Sequence, residues 1–307
     1  MGLFEPTVMP FGLHNALAVF QRMMNMQFAD IIATGKVIIY MDDIPVVTRD
    51  NQEEHQEMVN RILEWLAKLD LYLKLGKCQF EVRRIKFLDV ILEDGMVTMD
   101  PIKIAGMKDW RTPQNVKETC QVLGFWNFYR WFIKGFSHIE KLLNNLLKKN
   151  IKWTWGDVKQ EVFDKLKKTI CKELVLIQPD QIKPFKVEVD ALNYAIGAVL
   201  MQRDDKKILH PVAYFSKTIN NEQRNYNVYN CELLGLWEMF KHWRAYLHGA
   251  AHQVKVHTDH TNLLFWKNPG DHNRRVAQWH SDLMDYDFQL VWKAGVSRSI
   301  FQNGKLG

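Results

Sequence analysis

At 307 residues the chain is too long for one small core and suits two or three packed units. Hydrophobic residues make up 47% and charged residues 25%, a balance that excludes a disordered chain. The formal net charge of +6 suits a polyanionic partner better than an acidic one. No apolar run approaches the ~20 residues a bilayer span needs, and the first residues lack a signal pattern. Cys78, Cys120, Cys171 and Cys231 are too widely spaced for a zinc pair or a dense disulfide framework. Free thiols and an intracellular location, cytoplasm or nucleus, are therefore expected.

Three zones follow one another. Residues 1–100 alternate helix and strand signals, 101–180 are helical, basic and Trp-rich, and 181–307 begin with strands and run to helices. Phe20, Met24 and Phe28 recur at helical spacing, so a helix is expected from Asn15 to about Ala29. Val37 to Val47 is β-rich and broken by Met41-Asp42-Asp43, which reads as strand, turn, strand. Asp50 with Glu53 has the spacing of a capping box, and Met58, Ile62, Leu63, Leu66 and Leu69 form an apolar stripe behind it.

In the second zone Asn115 and Glu118 form another such box behind Pro113, and Val158, Val162, Phe163, Leu166 and Ile170 mark a further helix. Lysines concentrate between Lys148 and Lys172, where some could follow a phosphate backbone. Trp153 and Trp155 read as packing residues within that stretch. In the third zone Phe185 to Asp190 alternates strictly, with Lys186, Glu188 and Asp190 on the polar face. Val254 to Asp259 repeats the pattern, and a helix holding Tyr229, Leu233, Leu236, Trp237 and Phe240 lies between.

Asp42 and Asp43 place like charges side by side at the tip of an apolar hairpin. That costs energy unless a cation neutralises it; taken alone, the pair also reads as a solvated turn. Asp190, Glu232 and Asp259 lie one on each of three elements, and each alone reads as a solvated charge. Together they are the kind of set that could converge on divalent ions at a scissile phosphate. Gly235 stands one helical turn after Glu232 and leaves room for a strand or an ion beside it. His257 and His260 flank Asp259, positions where a histidine usually packs or faces solvent.

The order of motifs adds a family resemblance. Met9-Pro10-Phe11-Gly12-Leu13-His14-Asn15-Ala16, Phe20-Gln21, Tyr40-Met41-Asp42-Asp43, Lys77-Cys78 and Phe87-Leu88 resemble the reverse transcriptase palm of gypsy-class LTR retrotransposons. Leu123-Gly124-Phe125, Asn127, Tyr129-Arg130 and Phe132-Ile133 resemble the thumb of the same polyproteins. Val187 to Ala191, Tyr229 to Leu234, Thr258-Asp259-His260, Asn273-Arg274-Arg275 and Tyr286-Asp287-Phe288 resemble their ribonuclease H domain.

The resemblance implies a multidomain chain of α/β and α+β type. Its expected parts are a partial palm (1–100), a helical thumb and connection (101–180), and a ribonuclease H-like domain with a mixed five-stranded sheet and helices (181–307). It implies Asp42 and Asp43 as polymerase metal ligands, and Asp190, Glu232 and Asp259 as nuclease ligands. Phe11, Gly12, Gln21 and Lys77 are the implied substrate-binding residues. The implied cofactor is Mg2+ in two-metal sites, with Mn2+ as an alternative. The implied partners are an RNA–DNA hybrid or template–primer duplex, and dNTP for the intact family.

Several positions depart from the family. Pro45 sits in the second hairpin strand, Leu17 replaces a proline, Asp89 a glycine and Cys231 a lysine. The family's first palm aspartate belongs to a strand upstream of Met1, and Gln302 or Asn303 falls where its fourth nuclease aspartate belongs. The expectation is therefore inactive RNA-directed DNA synthesis and impaired hybrid hydrolysis. The alternative is a catalytically dead remnant that only binds nucleic acid, or a non-functional pseudogene product.

Overall fold

Apolar residues at helical spacing and short alternating runs fold here into two units, Met1–Arg83 and Arg84–Gly307. The computed structural model describes residues 9–10, 12–48, 51–172, 174–192, 194–266 and 274–296. Among them no helix is long and apolar enough to cross a membrane.

The first unit holds α1 (Ala16–Gln27), α2 (Ala29–Ile32) and α3 (Gln52–Lys68). Met24 of α1 and Met58, Ile62 and Leu66 of α3 close over Phe28, Ile31, Val37 and Ile39. The cap of α3 is Asn51, whose side chain accepts from the Glu54 N–H at 3.1 Å. This corrects the expected box by one residue; Asp50 lies outside the described residues.

In the second unit β1 (Arg84–Phe87), β2 (Val90–Glu93) and β3 (Met96–Met99) form an antiparallel meander. The helices α4 (Pro101–Lys108), α5 (Val116–Phe128), α6 (Phe136–Asn144) and α7 (Asp157–Ile170) follow. The next strand, β4 (Val175–Ile177), returns to pair with β3, completing a four-stranded sheet. The end of the expected palm segment and the end of the expected thumb and connection thus meet in one sheet. Asn115 caps α5 as expected, accepting from the Glu118 N–H at 2.9 Å, while Glu118 reaches back to the Gln114 N–H at 2.8 Å. Trp153 and Trp155 stack 5.9 Å apart and donate to Thr119 and Gln160, so both serve packing. Lys148, Lys149, Lys152, Lys165, Lys168 and Lys172 are exposed.

The remaining elements are β5 (Phe185–Leu192), β6 (Ala195–Arg203), β7 (Leu209–Thr218), α8 (Val228–His242), α9 (Arg244–Leu247), β8 (Val254–Thr258), α10 (Arg274–Leu283) and β9 (Phe288–Trp292). The sheet runs β7-β6-β5-β8-β9, with β5–β6 and β6–β7 antiparallel and β5–β8 and β8–β9 parallel. This is the mixed five-stranded sheet expected for the third zone.

Leu233, Leu236 and Phe240 of α8 bury against Val187 and Val189 of β5, each worth about 1.5–3 kcal/mol relative to exposure. The polar face of β5 is covered too: Glu188 is 5% and Asp190 1% exposed. Lys293 (2.5 Å) and Lys186 (3.5 Å) neutralise Glu188. On this face the Ser137 N–H donates to Ser216 Oγ at 3.0 Å, and Arg130 bonds the Ser216 carbonyl, tying the helical segment to β7.

Candidate functional site

Three chain segments deliver acids to one end of the five-stranded sheet. Asp190 stands near the end of β5, opposite Gly197 of β6. Asp259 follows the last residue of β8. There Thr258 Oγ1 accepts the His260 N–H at 3.2 Å, and the Asp259 carbonyl accepts from Trp292 Nε1 at 3.2 Å. Glu232 lies on the face of α8 turned to β5. A Cβ added at Gly235, one turn on, would meet the Ala191 Cβ at 3.3 Å and Ile196 at 3.6 Å. Gly235 therefore admits the strand: without a side chain there, α8 approaches β5 closely beside Asp190.

Ligand atoms of Asp190, Asp259 and His260 all lie within 4.8 Å of one another. His260 Nε2 is 2.9 Å from Glu232 Oε1 and 3.9 Å from Asp259 Oδ1. Glu232 is 2% exposed. Its Oε2 is buried and has no hydrogen-bond partner among the described residues. Burial pushes the Glu232 carboxyl up to about 7; Asp190 and Asp259 push the same way, and His260 opposes them. The bond to Glu232 pushes the His260 imidazolium up, so the titrations of the two groups are coupled.

A buried acceptor without a partner, crowded by two more carboxylates, fits a cation chemically. Asp190, Asp259 and His260, a ring whose place in the sequence suggests only packing, form the metal-sized group, and Glu232 joins it through its bond to His260. The signal for His260 was its place directly after Asp259, which becomes informative only once α8 is set beside β8. His257 does not join the group: it lies on β8 in register with Glu188.

The first unit holds the other expected site. Tyr40 and Asp43 exchange two backbone hydrogen bonds (2.9 and 3.0 Å), leaving Met41 and Asp42 as the turn, with Met41 at φ 52°. Ile38 N–H donates to the Pro45 carbonyl at 3.1 Å, but Pro45 has no N–H to return. The hairpin therefore consists of two isolated bridges, Val37–Val46 and Tyr40–Asp43, where two continuous strands were expected.

The amide of Gln21 clamps its tip. Nε2 donates to the Ile39 carbonyl at 3.0 Å, and Oε1 accepts the Met41 N–H at 2.6 Å. Asp42 and Asp43 are exposed, and among the described residues no further acid joins them in a metal-sized group. Gly12 is exposed at φ +94°, a conformation that favours glycine. Lys77 is exposed on a 3-10 turn, Leu75–Lys77. Phe11, Gln302 and Asn303 lie outside the described residues.

A mixed sheet of this order, with acids from its central strand, the following helix and the end of a neighbouring strand, defines a ribonuclease H-like domain. Known proteins agree. A family model described as "RNase H-like domain found in reverse transcriptase" matches residues 180–286, and one described as "Reverse transcriptase (RNA-dependent DNA polymerase)" matches 1–125. The Transposon Tf2-3 and Tf2-7 polyproteins of Schizosaccharomyces pombe are each 33% identical over 301 residues, 97% of this chain.

The chain thus resembles the reverse transcriptase–ribonuclease H region of gypsy-class LTR retrotransposon polyproteins. It spans 22% of the length of those polyproteins. A foamy viral protease–reverse transcriptase in complex with dsDNA shares the fold, with TM-score 0.73 and 19% identity over 93% of this chain and 60% of that one. The same enzyme in complex with an RNA/DNA hybrid matches with TM-score 0.73 and 19% identity, over 93% of this chain and 39% of that one.

Proposed function

We propose that the sheet-end site hydrolyses the RNA strand of an RNA–DNA hybrid with a divalent metal, Mg2+ or Mn2+, held by Asp190, Glu232 and Asp259. The observation that carries this reading is the ligand-sized group of Asp190, Asp259 and His260, with Glu232 bonded to His260 and its buried Oε2 left for a cation to satisfy. A bound divalent ion supplies Lewis-acid stabilisation and an activated water. The chain's own part is to fix the acids. β5 holds Asp190, the Thr258 hydroxyl bonds the backbone of the turn that carries Asp259, and Gly235 lets α8 bring Glu232 in. The exposed lysines between Lys148 and Lys172 suit a sequence-independent grip on duplex phosphates.

Residues 1–100 are read as part of a reverse transcriptase palm with Asp42 and Asp43 as metal ligands, and Gln21 as the residue that sets their hairpin. Residues 101–180 are read as thumb and connection. RNA-directed DNA synthesis from dNTP belongs to the intact polyprotein and is expected to be inactive in this chain alone. Gln302 and Asn303, at the place of the family's fourth nuclease aspartate, favour a second reading in which hybrid is bound without turnover.

Cleavage of a labelled hybrid decides between the two. The expected result is Mg2+- or Mn2+-dependent cutting that falls by on the order of 10²-fold or more in Asp190→Asn, several kcal/mol of metal-borne stabilisation. Salt-sensitive binding with no cutting at any concentration of either ion selects the second reading.

A further inference from the structure

The donor set at the sheet end is mixed. We propose that His260 is a direct ligand of the ion held by Asp190 and Asp259, and that its nitrogen makes this centre prefer Mn2+ to Mg2+. The inference rests on the metal-dependent reading above and adds a ligand and a selectivity to it.

Distances carry the first part. Asp190, Asp259 and His260 present ligand atoms within 4.8 Å of one another. Donors cis on an octahedral ion ~2.1 Å away lie ~3.0 Å apart, and trans donors ~4.2 Å. His260 Nε2 stands 2.9 Å from Glu232 Oε1 and 3.9 Å from Asp259 Oδ1, within those limits. One cation could therefore touch both His260 Nε2 and Glu232 Oε1. Glu232 Oε2, buried and with no hydrogen-bond partner among the described residues, points to the same missing positive charge.

The backbone holds the ring where it is. His260 directly follows Asp259, so one turn delivers both side chains. Its N–H is tied to the hydroxyl of Thr258, which is 0% exposed.

Ligand chemistry carries the second part. Mg2+ is a hard ion that takes oxygen donors and keeps its waters, whereas imidazole suits transition metals. Mn2+ accepts carboxylate oxygens together with a ring nitrogen. A nitrogen donor widens the margin by which Mn2+ exceeds Mg2+ over that of a wholly carboxylate set.

The test uses the whole chain, with Mn2+ binding followed by electron paramagnetic resonance and Mg2+ binding by calorimetry. The expected result is Mn2+ affinity at least ~10-fold above that for Mg2+. In His260→Ala, Mn2+ binding should weaken at least ~10-fold, the least that loss of a supporting partner costs, while Mg2+ binding moves by less than about threefold. Pulsed resonance of the wild type should show echo modulation from a directly bound nitrogen; this needs no variant, and His260→Gln serves if the alanine variant fails to fold.

Bound Mn2+ without nitrogen modulation, or undiminished Mn2+ binding in a folded His260→Ala, would overturn the proposal and leave His260 as a counter-ion of Glu232. The metal-dependent reading would survive that outcome if Asp190→Asn still abolished binding. A folded wild-type chain that takes up neither ion would overturn both.

Discussion

Two pairs of acids in this chain carry the same chemical group into opposite settings. Asp190 and Glu232 are 1% and 2% exposed, among elements that pack on both faces of a central strand. Asp42 and Asp43 stand in solvent on a two-residue turn, supported by two bridges and one glutamine. Burial makes a carboxylate expensive, and its electrostatics are then set by what the fold brings near it. Exposure leaves a carboxylate cheap, so the fold is indifferent to its charge. The ribonuclease H-like site is thus written into the packing of this chain, while the hairpin acids depend on whatever else comes to meet them.

Gly235 offers the largest break in that contrast. The added methyls of Gly235→Val would run into Ala191 and Ile196, whose atoms already lie 3.3 and 3.6 Å from a single Cβ. Overpacking of this kind costs about 1–3 kcal/mol. The shift it forces on α8 moves Glu232 from Asp190, and a displacement near 1 Å costs on the order of 10²-fold in rate. Thermal melts and hybrid cleavage should fall together. A variant with wild-type cleavage would show that close contact of helix and strand does not place the acid.

Acidity sharpens the comparison next. Folding raises Glu232 from its ordinary 4.5 to about 7 and also raises His260. Both groups therefore bind protons more tightly in the folded chain than in the unfolded one. Their contribution to metal-free stability is therefore full below about pH 4.5 and is lost as the pH climbs through 7, by at least ~1 kcal/mol. Melts in a chelator should show the decline, and Glu232→Gln should flatten it. A flat wild-type profile would mean the carboxyl is solvated after all.

Much of this was legible in the sequence, and the exceptions share a cause. The alternation of Phe185 to Asp190 and of Val254 to Thr258 announced the central strands, because a period of two has one structural reading. The same alternation marked Glu188 and Asp190 as the polar face, yet both are buried; only tertiary packing decides that a polar face is covered. His260 was readable as a neighbour of Asp259 but not of Glu232, 28 residues earlier, since that contact exists only after α8 lies beside the sheet. Gln21 looked like a substrate residue because the motif, rather than a local pattern, pointed to it. The bonds of its side-chain amide to the backbone of a hairpin some 20 residues away have no local pattern to announce them. The α3 cap slipped by one residue because Asp50 and Asn51 are chemically equivalent caps.

Gln21 also yields the next prediction. Gln21→Ala strips a partner from the Met41 N–H and the Ile39 carbonyl, a loss of about 0.5–1.5 kcal/mol for each neutral bond. Pro45, lacking an N–H, removes one ladder bond that would share the load. Amide exchange at Met41 should therefore accelerate about tenfold while exchange in β5 stays unchanged. Acceleration in both places would show that the variant loosens the fold generally rather than the tip.

The smallest effect is expected where the comparison began. Removing both charges in Asp42→Asn/Asp43→Asn touches no buried contact, and the paired bonds of Tyr40 and Asp43 run through the backbone, which asparagine keeps. Surface changes of this kind stay within about 0.5 kcal/mol. Melting temperature and hybrid cleavage should both remain at wild-type values, whereas Asp190→Asn abolishes cutting. A clear gain in stability would be the informative surprise, because relief of repulsion between the two carboxylates requires that they feel each other through something less screening than water. A clear loss would place a cation or a donor against them and end the claim that the fold is indifferent to their charge.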